Sequence, residues 1–276
     1  MSKLQVKTEL AREVLSEFTG TFLLCLINVA APLNLLLSGV NDPFLSNACS
    51  AFGVFLGMVS AMSNSAAHLN PVVSTSFAAR GTFPWKKVPY FVIAQYLGAF
   101  VAAAVTYLNF LEAINEYDGG VRAFVGVNGT GGGFAAVPAE GISISTCIMD
   151  TVLCSALLMF AICAITDKFN TGVPLHLFAP FVAFSVFGIV STFSHNCSVM
   201  MNPARDLGPR FFTLLVGYGT QGFEFHHGLF WVVAVIVPHF GGLLGTHLYH
   251  VTIGLQKPGQ EERMQQDPIL MKNLSS

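Results

Sequence analysis

Charge is what this sequence lacks most. Asp, Glu, Lys and Arg make up 10% of its 276 residues, against roughly 25% in an ordinary globular chain. So few charges cannot cover the surface of a water-soluble protein of this length. The charges present nearly cancel, 13 basic against 15 acidic for a net −2. That balance leaves no basic surface of the kind nucleic acid requires. The six cysteines stand at 25, 49, 147, 154, 163 and 197 with no CxxC pair, so neither a zinc site nor a disulfide framework is indicated. HExxH and GxSxG are missing, and each half has a single acid inside its expected spans. Hydrolysis would need a nucleophile with its base, or paired metal ligands, so enzyme activity, a metal centre and a cofactor are not expected. No removable signal peptide is expected either: the first 13 residues are polar and the first apolar run is too long for an h-region.

Apolar residues fill the gap. They supply 53% of the chain, 25 of them Phe, and mean hydropathy is +0.62. An α-helical membrane span needs about 20 mostly apolar residues, and six such runs occur, near 14–36, 45–62, 88–110, 144–165, 174–193 and 228–250. The alternation of a membrane β-barrel is missing. The expected fold class is an all-α membrane protein, a single membrane domain over 14–255. A polar segment 1–13 precedes it and a polar tail 256–276 follows. Ten of the 13 Lys and Arg fall on one side of the spans. The positive-inside rule then puts both termini in the cytoplasm and residues 111–143 in an outer loop, where Asn128 opens a glycosylation sequon. A second sequon, at Asn196, sits too near the centre of the second repeat to be a good acceptor.

The halves repeat. Glu17 stands 53 residues before Asn70, and Asp150 stands 52 before Asn202. Each Asn opens a short segment, Asn70-Pro71-Val72 and Asn202-Pro203-Ala204, followed by a span with a small-residue pair, Gly98-Ala99 and Gly241-Gly242. Three crossings per repeat invert the second copy, running 14–110 and 144–250, and inverted repeats commonly place a site at their interface near the midplane. Asn is a favoured N-cap and Pro a favoured first helical residue. The segments 70–80 and 202–214 are too short to span at 1.5 Å per residue. They read as half-helices whose N-termini meet inside the membrane, with the preceding non-helical backbone lining a watery cavity.

The motifs HLNPV and MNPARDLGPR, set in this repeated six-span frame, resemble those of the major intrinsic proteins, the aquaporins. Asp206 after Arg205, the outer-loop Phe134-Ala135-Ala136-Val137-Pro138 and the long connection 205–228 are similar to the glycerol-conducting branch, the aquaglyceroporins. The resemblance implies the aquaporin-like fold, a homotetramer in the lipid bilayer, residence in the plasma membrane as an integral multi-pass protein, and passive conduction of water and glycerol with protons and ions excluded. It also implies pore roles. Asn70 and Asn202 present side-chain amides, and each half-helix adds a positive end. Arg205 forms an outer constriction. Glu17 and Asp150, the acids inside the six spans, are expected to support the re-entrant loops by accepting backbone N–H bonds, Asp150 with one methylene less reach. His68 is expected to hold its loop by a hydrogen bond, and Asp206 to sit at a helix N-terminus or pair with Arg210.

Two positions depart from the family pattern. Val72 replaces the usual Ala, with consequences for packing or for pore width. An ungapped count places Ser50, Val190 and Val199 around Arg205, a filter with no aromatic ring unless the register shifts to Phe52. Such a filter implies a wide, weakly selective constriction. Other neutral solutes (urea, ammonia, hydrogen peroxide), water alone, a scaffold role and an ion-coupled transporter are the competing functions. The transporter reading suffers because intramembrane acids carry the coupling ion in such machines, and only one acid per half is available.

Overall fold

The computed structural model of the chain describes residues 6–257. Lys3 and the tail from residue 258, with Arg263 and Lys272, lie outside the described residues. Each expected span is a helix: α1 (Glu9–Leu37), α2 (Pro43–Ala61), α4 (Val88–Asp118), α5 (Ile144–Thr166), α6 (Phe178–Cys197) and α9 (Phe230–Tyr249). All six are long and apolar enough to cross a membrane. The half-helices are α3 (Pro71–Ala79) and α7 (Pro203–Leu215), and one short turn, α8 (Gln221–Glu224), precedes α9. No strand occurs among the described residues.

Local chemistry sets the starts. Asp42 caps α2 by accepting from the Leu45 N–H, with Pro43 as first residue; Ser143 caps α5 through the Thr146 N–H. The ends of α1 and α6 lie a few residues from expectation, and the outer end of α4 differs most. The third span runs on to Asp118, so the outer loop begins at Gly119 and not at 111. The added turns are polar yet useful: Asp118 takes a bidentate pair of bonds from Arg122, at 2.7 and 2.8 Å, and Tyr107 accepts from the same guanidinium. Gly119 then ends the helix at φ 65, a left-handed cap that glycine adopts without steric cost.

The repeats exchange their half-helices. α1 packs on α4 and α2, and α5 packs on α9 and α6, within each half. Between halves, α3 lies against α9 and α7 against α4. Small residues permit the close crossings in lipid. A Cβ on Gly98 would stand 2.5 Å from the Phe18 carbonyl oxygen, and one on Gly241 2.5 Å from that of Val152. Val72 finds its place here. It is fully buried, and its Cγ1 occupies the space a side chain on Gly242 would need. Its extra methyls fill a helix crossing and do not line the cavity described below.

Candidate functional site

The two half-helices meet through their caps. Asn70 Oδ1 accepts from the Val72 N–H at 2.9 Å, and Asn202 Oδ1 from the Ala204 N–H at 3.1 Å. Each amide then donates across the repeat boundary: Asn70 Nδ2 to the Met201 carbonyl and Asn202 Nδ2 to the Leu69 carbonyl, both at 2.9 Å. An amide nitrogen carries two hydrogens. One N–H per Asn therefore stays available to whatever passes.

A single cavity of about 830 Å³ runs past both caps. It is lined from Pro43, the first residue of α2, to Met62, just beyond its last. Nineteen helical residues rise about 28 Å, close to the thickness of a hydrocarbon core. The path thus follows the whole length of a spanning helix. Ser50, Val190, Val199 and Arg205 all line it, as do His68, Asn70, Asn202 and Asp206. Phe52 does not: it is 54% exposed on the outer flank of α2, beside Phe55. Arg80 and Lys168 line the opposite end.

The loops ahead of the caps are strained. Ala67 and Leu69 have φ 50 and 51, and Ser198 and Val199 have φ 59 and 53, the left-handed region that L-residues avoid. The first loop is held from behind by Glu17. That carboxylate accepts the His68 and Leu69 N–H groups at 2.9 and 2.8 Å, the Ser65 hydroxyl at 2.8 Å and the Gln95 amide at 2.8 Å. His68 Nδ1 lies 3.1 Å from Ser74 Oγ, and its ring sits among Phe77, Phe83 and Phe91. Asp150 behaves differently from the expectation of backbone support. Its partners are the Asn196 amide at 3.2 Å and the Cys197 thiol at 3.0 Å, because the shorter side chain stops short of the loop's N–H groups. The amide of the second sequon is thereby occupied.

Arg205 reaches the Asn28 carbonyl with Nη2 at 3.4 Å and otherwise faces the cavity. Behind it, Asp206 and Arg210 form a buried pair, joined at 2.8 Å by both Nε and Nη2. Asp206 also accepts the Ala136 N–H at 2.8 Å, and Arg210 donates to the carbonyls of Ala136 and Gly222. The pair ties the outer loop to the half-helix that carries Arg205. Asn128 is exposed on that loop, but Thr130 of its sequon is fully buried and lies 2.6 Å from the Tyr218 hydroxyl. Burial pushes the Tyr218 phenol up to about 12, so this contact stays neutral through the physiological range. His195 is exposed, and Cys197 is buried.

Sequence reasoning missed Asn28 and Asn47, which also line the cavity. Asn28 binds the Ser50 carbonyl at 3.1 Å, while Asn47 precedes Ser50 by three residues and shares its helix face. A polar residue within an apolar span was the available signal for the first, and helical phase for the second.

Six spans, two opposed half-helices and a cavity between them that follows a helix's full length define a membrane channel. Comparison with known proteins agrees. The family model of the major intrinsic proteins matches residues 4–249. Aquaporin-3 of Milnesium tardigradum is 40% identical over 252 residues, covering 88% of this chain and 77% of that protein. Aquaporin-10 of Homo sapiens is 33% identical over 267 residues, covering 96% and 88%. The X-ray structure of the aquaglyceroporin from Plasmodium falciparum superposes with a TM-score of 0.81 at 27% identity, covering 88% of this chain and 97% of that one. The chain belongs to the major intrinsic protein family, whose aquaporins and aquaglyceroporins are passive channels and not enzymes.

Proposed function

We propose that the chain conducts glycerol, other small neutral solutes and water through the cavity past Asn70 and Asn202. The observation that carries this reading is the composition of the cavity wall. Ser50, Val190 and Val199 line it together with Arg205, and none of the three is aromatic. Arg205 and the free asparagine N–H groups offer donors to solute hydroxyls, while the valines meet a carbon backbone. The same donors orient a passing water by its oxygen. With the positive ends of α3 and α7, each roughly half an elementary charge, they oppose protons and cations.

Glu17, His68, Asp150 and Asp206 act as supports for this path. An ion-coupled mechanism finds little help: neither Glu17 nor Asp150 lines the cavity, and Asp167 and Asp206, which do, are paired with Lys257 and Arg210. The family resemblance supports a homotetramer and plasma-membrane residence, and the bias of Lys and Arg to one side of the spans supports cytoplasmic termini. A glycan on Asn128 would be added before the outer loop folds, because Thr130 is buried afterwards.

Stopped-flow light scattering on proteoliposomes tests the reading. Water, glycerol and a larger linear polyol are compared with empty liposomes and with Asn202→Asp. Fast glycerol entry, weak discrimination against the larger polyol and loss of both in the variant are expected. Water flux without glycerol would overturn the wide constriction.

A further inference from the structure

The two re-entrant loops follow one plan up to a point. Ser65 stands five residues before Asn70 and donates its hydroxyl to Glu17 Oε1 at 2.8 Å. Cys197 stands five residues before Asn202 and donates its thiol to Asp150 Oδ2 at 3.0 Å. There the likeness ends. Glu17 also accepts the N–H groups of His68 and Leu69, whose counterparts are Met200 and Met201. Asp150 accepts neither. Its other partner is the Asn196 side chain at 3.2 Å, and the Met201 N–H turns back to the Val199 carbonyl at 3.1 Å. One left-handed residue is shared, Ala67 matching Val199, while the other is Leu69 in the first loop and Ser198 in the second. Gln95, which backs Glu17, has Pro238 at its repeat position.

We infer that Cys197 is a positioning residue for the second pore loop, its thiol bound to Asp150 serving as the tether that backbone N–H groups provide in the first. Cys197 is fully buried, and its bond to a carboxylate is charge-assisted. Two left-handed residues follow it directly, and the second, Val199, lines the cavity. Displacing Cys197 therefore displaces Val199, and the Asn202 amide beyond it. The sulfur's other neighbour, the Cys147 carbonyl, is 4.0 Å away and too distant to replace the carboxylate.

The test uses the full chain with Cys197→Ala, Cys197→Ser and Asp150→Glu/Cys197→Ala. Amide hydrogen exchange is measured in detergent micelles, and glycerol and water fluxes in proteoliposomes. Cys197→Ala should speed exchange at Met200 and Met201, leave His68 and Leu69 unchanged, and lower glycerol permeability about tenfold, the scale of one lost bond to a charged group. Cys197→Ser, which keeps a donor, should behave as wild type. The double variant should recover protection, because glutamate reaches the Met200 and Met201 N–H groups. Unchanged exchange in Cys197→Ala, faster exchange in both loops alike, or no recovery in the double variant would each overturn the inference. If Cys197→Ala does not fold, Asp150→Glu alone should gain protection at Met200 and Met201, and no gain would overturn it. The flux arm rests on the channel reading above and the exchange arm does not, so a wild-type chain that fails to pass glycerol would defeat that reading alone.

Discussion

Replacing Glu17 by Gln exchanges one oxygen for an NH2 and removes a charge, with almost no change of shape. The loop it supports holds Ala67 and Leu69 in the left-handed region, at roughly 1–2 kcal/mol each. Against this stand two bonds from backbone N–H groups to the carboxylate, worth about 1.5–3 kcal/mol apiece. The bonds win in the native chain. In Glu17→Gln the new NH2 must face two of the four donors. Gln95 relieves part of the conflict. Its Oε1 is buried without a partner, so turning its amide over presents an acceptor to the NH2 at the Oε2 position. The Leu69 N–H is then left orphaned, and the surviving bonds become neutral. A net loss of about 2–3 kcal/mol follows, enough to let the loop leave its pore conformation. Amide exchange at Leu69 and thermal unfolding in micelles read the stability, and glycerol flux reads the consequence. Full protection at Leu69 with unchanged flux would refute the reasoning, because it would mean that the charge does not hold the strained loop.

Three further outcomes follow from the packing. Arg210→Met leaves the buried Asp206 carboxylate without its cation and should cost about 3–5 kcal/mol; Asp206→Leu/Arg210→Met should recover a large part of it, by thermal unfolding of both variants in micelles. Val72→Ala removes two methyls from the crossing with Gly242 and should cost about 2 kcal/mol. Because Val72 does not line the cavity, the ratio of glycerol to water permeability should stay at its wild-type value. Ser50→Trp places an indole on the cavity wall that Val190 and Val199 also line and should abolish flux of a larger polyol before that of glycerol, and glycerol before water, measured as permeability ratios in proteoliposomes.

Much of the architecture was legible because membrane burial imposes a coarse rule. A backbone in lipid must satisfy its own hydrogen bonds, so each long apolar run became a helix, and each Asn-Pro pair marked a helix start. The outer end of α4 was not legible, since hydropathy reports where lipid ends and not where a helix ends. Glu112, Asn115 and Asp118 lowered the hydropathy while the helix continued, held by Arg122. The Asp206–Arg210 pair was open to sequence reasoning, four residues apart on one helix face. Its bonds to Ala136 and Gly222 were not, because they depend on how two long connections fold together.

Side-chain reach is the hardest quantity to read from spacing. Glu17 and Asp150 occupy matching positions, and sequence alone assigns them one role. A difference of one methylene separates them in space. Glutamate passes its first donor, Ser65, and continues to the backbone of its loop; aspartate ends at Cys197 and Asn196. One left-handed residue keeps its place in both loops, Ala67 and Val199, while the other is Leu69 in the first and Ser198 in the second. The repeat thus fixes where support is needed, and the length of the acid decides which atoms receive it. Each loop still delivers its asparagine to the same point, where Asn70 and Asn202 bond across the repeat boundary at an equal 2.9 Å. That equality is what the two unlike supports have to secure.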